Sequence, residues 1–238
     1  MGHAQQPPPA ATPHPAPRPA LHRVGRGGIP VVTVDHVWPD PAGVIAVARA
    51  MAPFPPAGHH YPGVRRVIAA QDPAFAYVEA LLESAAPFLA GAYDIDAFDL
   101  IEASFSAVTT APGALDPVQR APHFDATDPA HFAVMHYLRE TAGTAFYRHR
   151  ASGIEQVTEA NLPAYLAHAR REATPAGYIT GSNPHYEAIG AVEGLANRLV
   201  IYPGSLLHSG IITPETVLSA DPALGRLTTN MFVRAVRA

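Results

Sequence analysis

The sequence predicts a mainly β protein with helices packed outside a barrel. Three observations lead to that class. Phe132-Ala-Val-Met-His-Tyr-Leu138 is an unbroken apolar run of strand length, the pattern of a strand buried on both faces. Further strand-like runs at Pro30–Asp35, Phe98–Thr110, Gly143–Arg150, Arg198–Tyr202 and Arg226–Arg234 are rich in β-branched and aromatic residues and bounded by Gly, Pro or Asp. Helical spacing is confined to Pro41–Met51, Asp72–Ala92 and residues 154–172.

Residues 1–27 contain a Pro7-Pro8-Pro9 run and further prolines at 13, 15, 17 and 19. With little apolar material to bury, they are expected to form a solvated, partly polyproline tail. Residues 28–238 are expected to be one domain, since barrels of this length are routinely single units. Pro30–Asp35 is the expected first strand. Asp40 caps the helix that carries Val44, Ile45, Val47 and Ala48. The Pro-, Gly-, His- and Tyr-rich segment from Pro53 to Arg66 reads as an irregular lid. Asp72-Pro73 supplies cap and first turn for a helix with its apolar stripe on Phe75, Val78, Leu81, Leu82, Ala85 and Phe88.

The Phe98–Thr110 strand leads through Ala111-Pro-Gly113 to the motif discussed below. Glu140-Thr-Ala-Gly143 is expected to be a hairpin turn joining the strands on either side. The polar helical stretch 154–172 then reads as an insertion between two halves of the barrel. A loop at 211–224 precedes the last strand.

Composition narrows the function classes. In 238 residues, 48% are hydrophobic and 15% charged, which indicates a filled core. The net charge of −4 gives no general attraction to nucleic acid or anionic lipid. All 16 basic residues are arginine and Ala and Pro abound, which reads as the coding bias of a GC-rich bacterium. There is no cysteine, hence no disulfide, thiol nucleophile or soft metal ligand. No apolar stretch approaches the roughly 20 residues that span a bilayer. The N-terminus lacks the basic-then-apolar pattern of a secretion signal. A cytoplasmic monomer or homodimer acting on a small molecule is the expectation.

The chemistry concentrates in Pro122-His123-Phe124-Asp125-Ala126 and in His208. In an extended chain residues two apart share a face, so His123 and Asp125 point together while Phe124 points into the opposite layer. A second imidazole from a distant strand completes a two-histidine, one-carboxylate face of the kind that holds Fe(II) with open positions. His208 follows the strand Arg198–Tyr202 and a Pro203-Gly204 turn. With 13 histidines, chance pairs are common, and other sets fare worse. His59 and His60 are adjacent and diverge; His131 and His136, five apart, face opposite ways. No His-Glu-X-X-His helix, nucleophile elbow or phosphate loop is present.

His123-X-Asp125, His208 after Tyr-Pro-Gly and Gly225-Arg226-Leu-Thr228 opening the final strand resemble the Fe(II)/2-oxoglutarate-dependent dioxygenase superfamily. Ser104-Phe-Ser-Ala and Leu115 through Asp125 are similar to a bacterial branch of it. The resemblance spans roughly residues 60–236 and implies a double-stranded β-helix, a jelly-roll or cupin-like barrel. It implies Fe(II) on His123, Asp125 and His208, and 2-oxoglutarate with its far carboxylate on Arg226 beside Thr228. It implies hydroxylation of a small molecule or amino-acid-like group; halogenases of the superfamily lack the carboxylate that Asp125 supplies. Family members usually carry the basic residue nearer the second histidine, and here the 211–224 loop stretches the gap. Arg65 is a candidate grip for a substrate carboxylate. The readings from other classes are a cupin-like metalloprotein without 2-oxoglutarate and a catalytically silent ligand-binding barrel.

Overall fold

The computed structural model describes residues 14–236. Ten strands and three α-helices form two antiparallel sheets and an outer helical layer. The large sheet contains β1 (Arg18–Val24), β2 (Ile29–Asp35), β3 (Gly63–Val67), β4 (Ala97–Val108), β5 (His131–Tyr137), β8 (Arg198–Pro203) and β10 (Leu227–Val236), in the order β1-β2-β8-β5-β10-β4-β3. The small sheet runs β7-β6-β9, from β6 (Thr141–His149), β7 (Tyr186–Gly194) and β9 (His208–Gly210).

Period-two alternation sorts each central strand between two cores. Phe132 and Val134 of β5, with Leu199 and Ile201 of β8, pack against α1 (Pro41–Ala50) and α2 (Phe75–Tyr93). Ala133, Met135 and Tyr137, with Val200 and Tyr202, face the small sheet and meet Phe146 and Leu206. A strand covered on both sides favours apolar residues at nearly every position, which is why Phe132–Leu138 reads as a continuous run, with His136 buried through hydrogen bonds to Tyr77 and Asn197. At about 25 cal/mol per Å2 of apolar surface removed from water, each buried Phe, Val, Leu, Ile or Met among them contributes roughly 1.5–3 kcal/mol.

Several expectations are corrected. The tail does not extend to residue 27: Arg18–Val24 form β1, which pairs with β2 in full register from Arg18↔Asp35 to Val24↔Ile29. All but Val24 are exposed, so backbone bonding rather than burial places this strand, and composition could not reveal it. Residues 1–13 of the expected tail lie outside the described residues. The segment Pro53–Arg66 is not wholly irregular, because Gly63–Val67 pairs with β4. Asp72 does not cap α2; its carboxylate accepts from the Ala69 N–H (2.8 Å) and pairs with Arg66, and the helix begins at Phe75. Glu140–Gly143 is no hairpin turn, since β5 pairs with β10 and β8 while β6 pairs with β7 and β9. Both edges of β5 are occupied, so the chain must cross to the other sheet. The helix expected over 154–172 is only α3, Leu162–Ala169, and β7 follows it unannounced. Asp40 does cap α1, accepting from the Gly43 N–H at 2.9 Å.

Candidate metal centre and cleft

His123, Phe124 and Asp125 lie in the segment before β5, tied down by backbone bonds. The N–H groups of His123 and His208 donate to each other's carbonyls at 2.9 and 2.8 Å, and the Asp125 N–H donates to the Gly204 carbonyl at 2.7 Å. This reciprocal bridge sets the two imidazoles side by side, 4.2 Å between ring centres. Phe124 turns the other way and meets Tyr165 edge-on. The two-residue spacing therefore separates ligand from core residue.

His123 Nε2 is 3.8 Å from Asp125 Oδ1, and His208 Nε2 is 3.7 Å from Asp125 Oδ2. One ligand atom from each residue lies within 4.8 Å of the other two. The His208 Nδ1–H donates to the Leu206 carbonyl (2.8 Å), which leaves Nε2 with a free lone pair directed at the cluster. Burial holds the His208 imidazole down at about 4, so it is neutral at physiological pH. His123 shifts the same way, by burial first and its neighbour His208 second, though its side chain is 57% accessible and solvent offsets part of that effect. Burial raises Asp125, opposed by His123, His131 and Arg65. Asp125 Oδ2 is buried without a hydrogen-bond partner. A buried carboxylate beside two neutral imidazoles lacks the positive charge it needs, and a divalent cation would supply it.

The cluster opens into a cleft of about 500 Å3 between the sheets. The cleft is also lined by Arg226, just before β10 and only 6% exposed, and by Thr228, 1% exposed. Among the described residues no carboxylate pairs with Arg226, and its Nε and the Thr228 Oγ1 are buried without partners. The guanidinium lies 5.7 Å from the Tyr137 ring centre. Gly210 leaves it room, since a β-carbon there would come within 3.2 Å of Nη2. An unpaired buried guanidinium is costly unless an anion completes it. Sequence reasoning singled out His123, Asp125, His208, Arg226 and Thr228, and all five line this one cleft. Arg65 lines it too, on β3, paired with Glu102.

Tyr61 and Tyr178, which also line the cleft, were not among the residues singled out in the sequence. Tyr61 buries its hydroxyl oxygen without a partner; burial raises its pKa, with Arg226 and Arg65 opposing. Tyr178 comes from the insertion after α3 and donates to the Thr110 carbonyl at 2.7 Å. His131 also faces the cleft, whereas His136 is buried on the helical side against Tyr77. Only the Tyr- and His-rich character of 59–61 hinted at Tyr61, and nothing local marked Tyr178. The insertion holds to β6 through His149, whose Nε2 lies 3.0 Å from Glu172.

A profile of the family of unknown function DUF6445 matches residues 15–233. The chain belongs to DUF6445. No curated protein matches this DUF6445 chain in sequence. Solved structures resemble it in fold. The non-heme alpha ketoglutarate dependent carbocyclase SnoK from nogalamycin biosynthesis aligns with a TM-score of 0.53 at 14% identity, covering 86% of this chain and 79% of SnoK. The non-heme alpha ketoglutarate dependent epimerase SnoN of the same biosynthesis gives 0.52 at 14% identity, covering 86% and 78%. HygX from Streptomyces hygroscopicus, solved with nickel and 2-oxoglutarate bound, gives 0.51 at 11% identity, covering 87% and 83%. The DUF6445 chain thus shares the mainly β fold of these proteins. Among the described residues, no helix is long and apolar enough to cross a membrane.

Proposed function

We propose that this protein is a double-stranded β-helix oxygenase that uses Fe(II) and 2-oxoglutarate to hydroxylate a small molecule, in one catalytic domain that takes in β1 as well. One observation carries the reading. The same cleft holds a His-Asp-His cluster short of a cation and a buried arginine short of an anion. A keto acid chelating a metal at one end and ending in a carboxylate at the other satisfies both. The likeness to SnoK, SnoN and HygX in fold supports it.

His123, Asp125 and His208 would hold the metal, leaving the remaining positions to cosubstrate and oxygen. When bound, iron with 2-oxoglutarate and O2 supplies the oxidising power that inserts one oxygen atom into a C–H bond, the other ending in succinate alongside CO2. The chain's own contribution is positional. The Leu206 carbonyl keeps the proton on His208 Nδ1 and frees Nε2. Asp125 brings the negative charge that offsets part of the metal's, and its presence favours hydroxylation over halogenation. Arg226 forms a charge-assisted pair with the distal carboxylate, and Thr228 donates its hydroxyl beside it. Tyr137, hydrogen-bonded to Thr144 at 2.5 Å, is fully buried beside the Arg226 guanidinium, and such low-dielectric surroundings strengthen the pairing.

The test is anaerobic titration of the metal-free protein with Fe(II) and 2-oxoglutarate, following the visible charge-transfer band of a chelated keto acid. The band should form in the wild type and vanish in Asp125→Ala. In Arg226→Ala it should need far more 2-oxoglutarate. Iron binding without a band would favour a metalloprotein that does not use 2-oxoglutarate; no iron binding would leave a silent ligand-binding barrel.

A further inference from the structure

Arg65 stands opposite Ser106 of β4 in the ladder and lines the cleft. Its guanidinium is held from several directions. Nε donates to Ser104 Oγ at 2.9 Å, Nη2 pairs with Glu102, and the group lies 5.7 Å from the Phe232 ring centre. Nη1 has no acceptor among the described residues. A guanidinium fixed in this way forms another bond with little further loss of freedom.

Charge decides what that bond would be made to. Apart from its histidines, the charged side chains lining the cleft are Asp125, Arg226 and Arg65. Asp125 belongs to the metal cluster and Arg226 to the cosubstrate, which leaves Arg65 as the positive charge facing whatever enters next. Glu102, which offsets it, is not part of the lining, and its side chain is 36% accessible to screening water. Arg65 and the His123–Asp125–His208 cluster line the same cleft, so an anchored ligand would share that space with the reacting centre. Close by, Asn230 donates to Ser106 Oγ at 2.9 Å, which leaves its amide oxygen free to accept from a neighbouring N–H.

We infer that the substrate is a small carboxylic acid, amino acids and their acylated forms included, whose carboxylate docks on the open Nη1 edge of Arg65. The inference rests on the oxygenase reading above. A neutral sugar would leave a charged donor poorly matched, and a cationic amine would be repelled.

The probes are N-acetyl-L-leucine and phenylacetate, each beside its primary amide, added to the anaerobic protein loaded with Fe(II) and 2-oxoglutarate. Binding next to the metal is read as a saturable change in the visible band. At least one acid should perturb the band at a concentration where its amide does not. Arg65→Gln should keep the band itself but raise the acid's half-saturation by on the order of tenfold to a hundredfold. Glu102→Gln should act oppositely: removing the competing carboxylate tightens the acid several-fold, a direction that no loss of folding can mimic. Equal responses to acid and amide, an unchanged acid response in Arg65→Gln, or no response to either acid at millimolar concentration overturns the inference. A wild type that never forms the band overturns the oxygenase reading first, and the inference falls with it.

Discussion

Thr228 separates binding from architecture at the scale of a single residue. Its hydroxyl is buried and unpartnered, so Thr228→Val removes a polar atom without leaving a protein group unpaired. The expected outcome is little change in stability, unchanged iron binding and 2-oxoglutarate affinity weakened by about tenfold, as for a hydrogen bond to a charged group. Calorimetric titration of the iron-loaded protein measures it; equal affinity in both proteins would remove Thr228 from the site. His136 illustrates the opposite kind of residue. It is fully buried, takes a 2.6 Å hydrogen bond from the Tyr77 hydroxyl at Nδ1 and lies 3.1 Å from Asn197 Oδ1 through Nε2. Burial lowers its pKa from 6.5 to about 4. The unfolded chain therefore binds the proton more readily, so His136 leaves stability intact above pH 6.5 and withdraws it as pH falls from 6.5 towards 4. The full loss is about 3 kcal/mol. Urea titrations at pH 7 and pH 4.5 should show a shallower pH dependence in His136→Gln than in wild type, although that variant begins less stable. Parallel losses would mean that His136 is not the group responsible.

Individual elements differ in what holds them. β8 is central, and Ile201 is fully buried between the sheet and the helices; Ile201→Ala should cost about 2–5 kcal/mol. β1 is an edge strand whose Leu21 is 52% exposed, and Leu21→Asp should fall within about 0.5 kcal/mol of wild type. Denaturant midpoints compare the two, and a large loss at Leu21 would show that something covers β1. The same contrast explains what could be read from the chain. β5 and β8 announce themselves because both faces are apolar, whereas β1 carries exposed residues that no hydrophobic pattern distinguishes from a tail. The turn 140–143 misleads for a related reason. Turn residues specify a change of direction but not which strand the chain pairs with next, and that depends on the occupied edges of β5.

At the scale of the molecule, the two sheets meet around a cleft lined by two unmet charges of opposite sign, Asp125 and Arg226. Ligands that satisfy both charges bind the folded state alone, so they should stabilise it. With Fe(II) and 2-oxoglutarate present without oxygen, at a hundred times the dissociation constant, the gain is about 2.7 kcal/mol by mass action for one site. Thermal unfolding should shift upward by several degrees in the wild type and not in Asp125→Ala. An equal shift in that variant would place the metal elsewhere.

What the sequence determined by itself are the properties that depend on near neighbours: the alternation that makes β5 and β8, the cap on α1, and the facing of His123 with Asp125. His208 and Arg226 could be matched to them through resemblance in order and spacing, not through any local signal. The tertiary structure alone decided the crossing from β5 to β6, the placing of β1 by backbone pairing, and the entry of Tyr61 and Tyr178 into the cleft. It also decided that Arg65 meets Glu102 and Ser104 rather than solvent. The physical reason is range. Side-chain period and capping act over a few residues, but which sheet edge is free and which charge lacks a partner depend on segments well beyond that range, brought together only by folding.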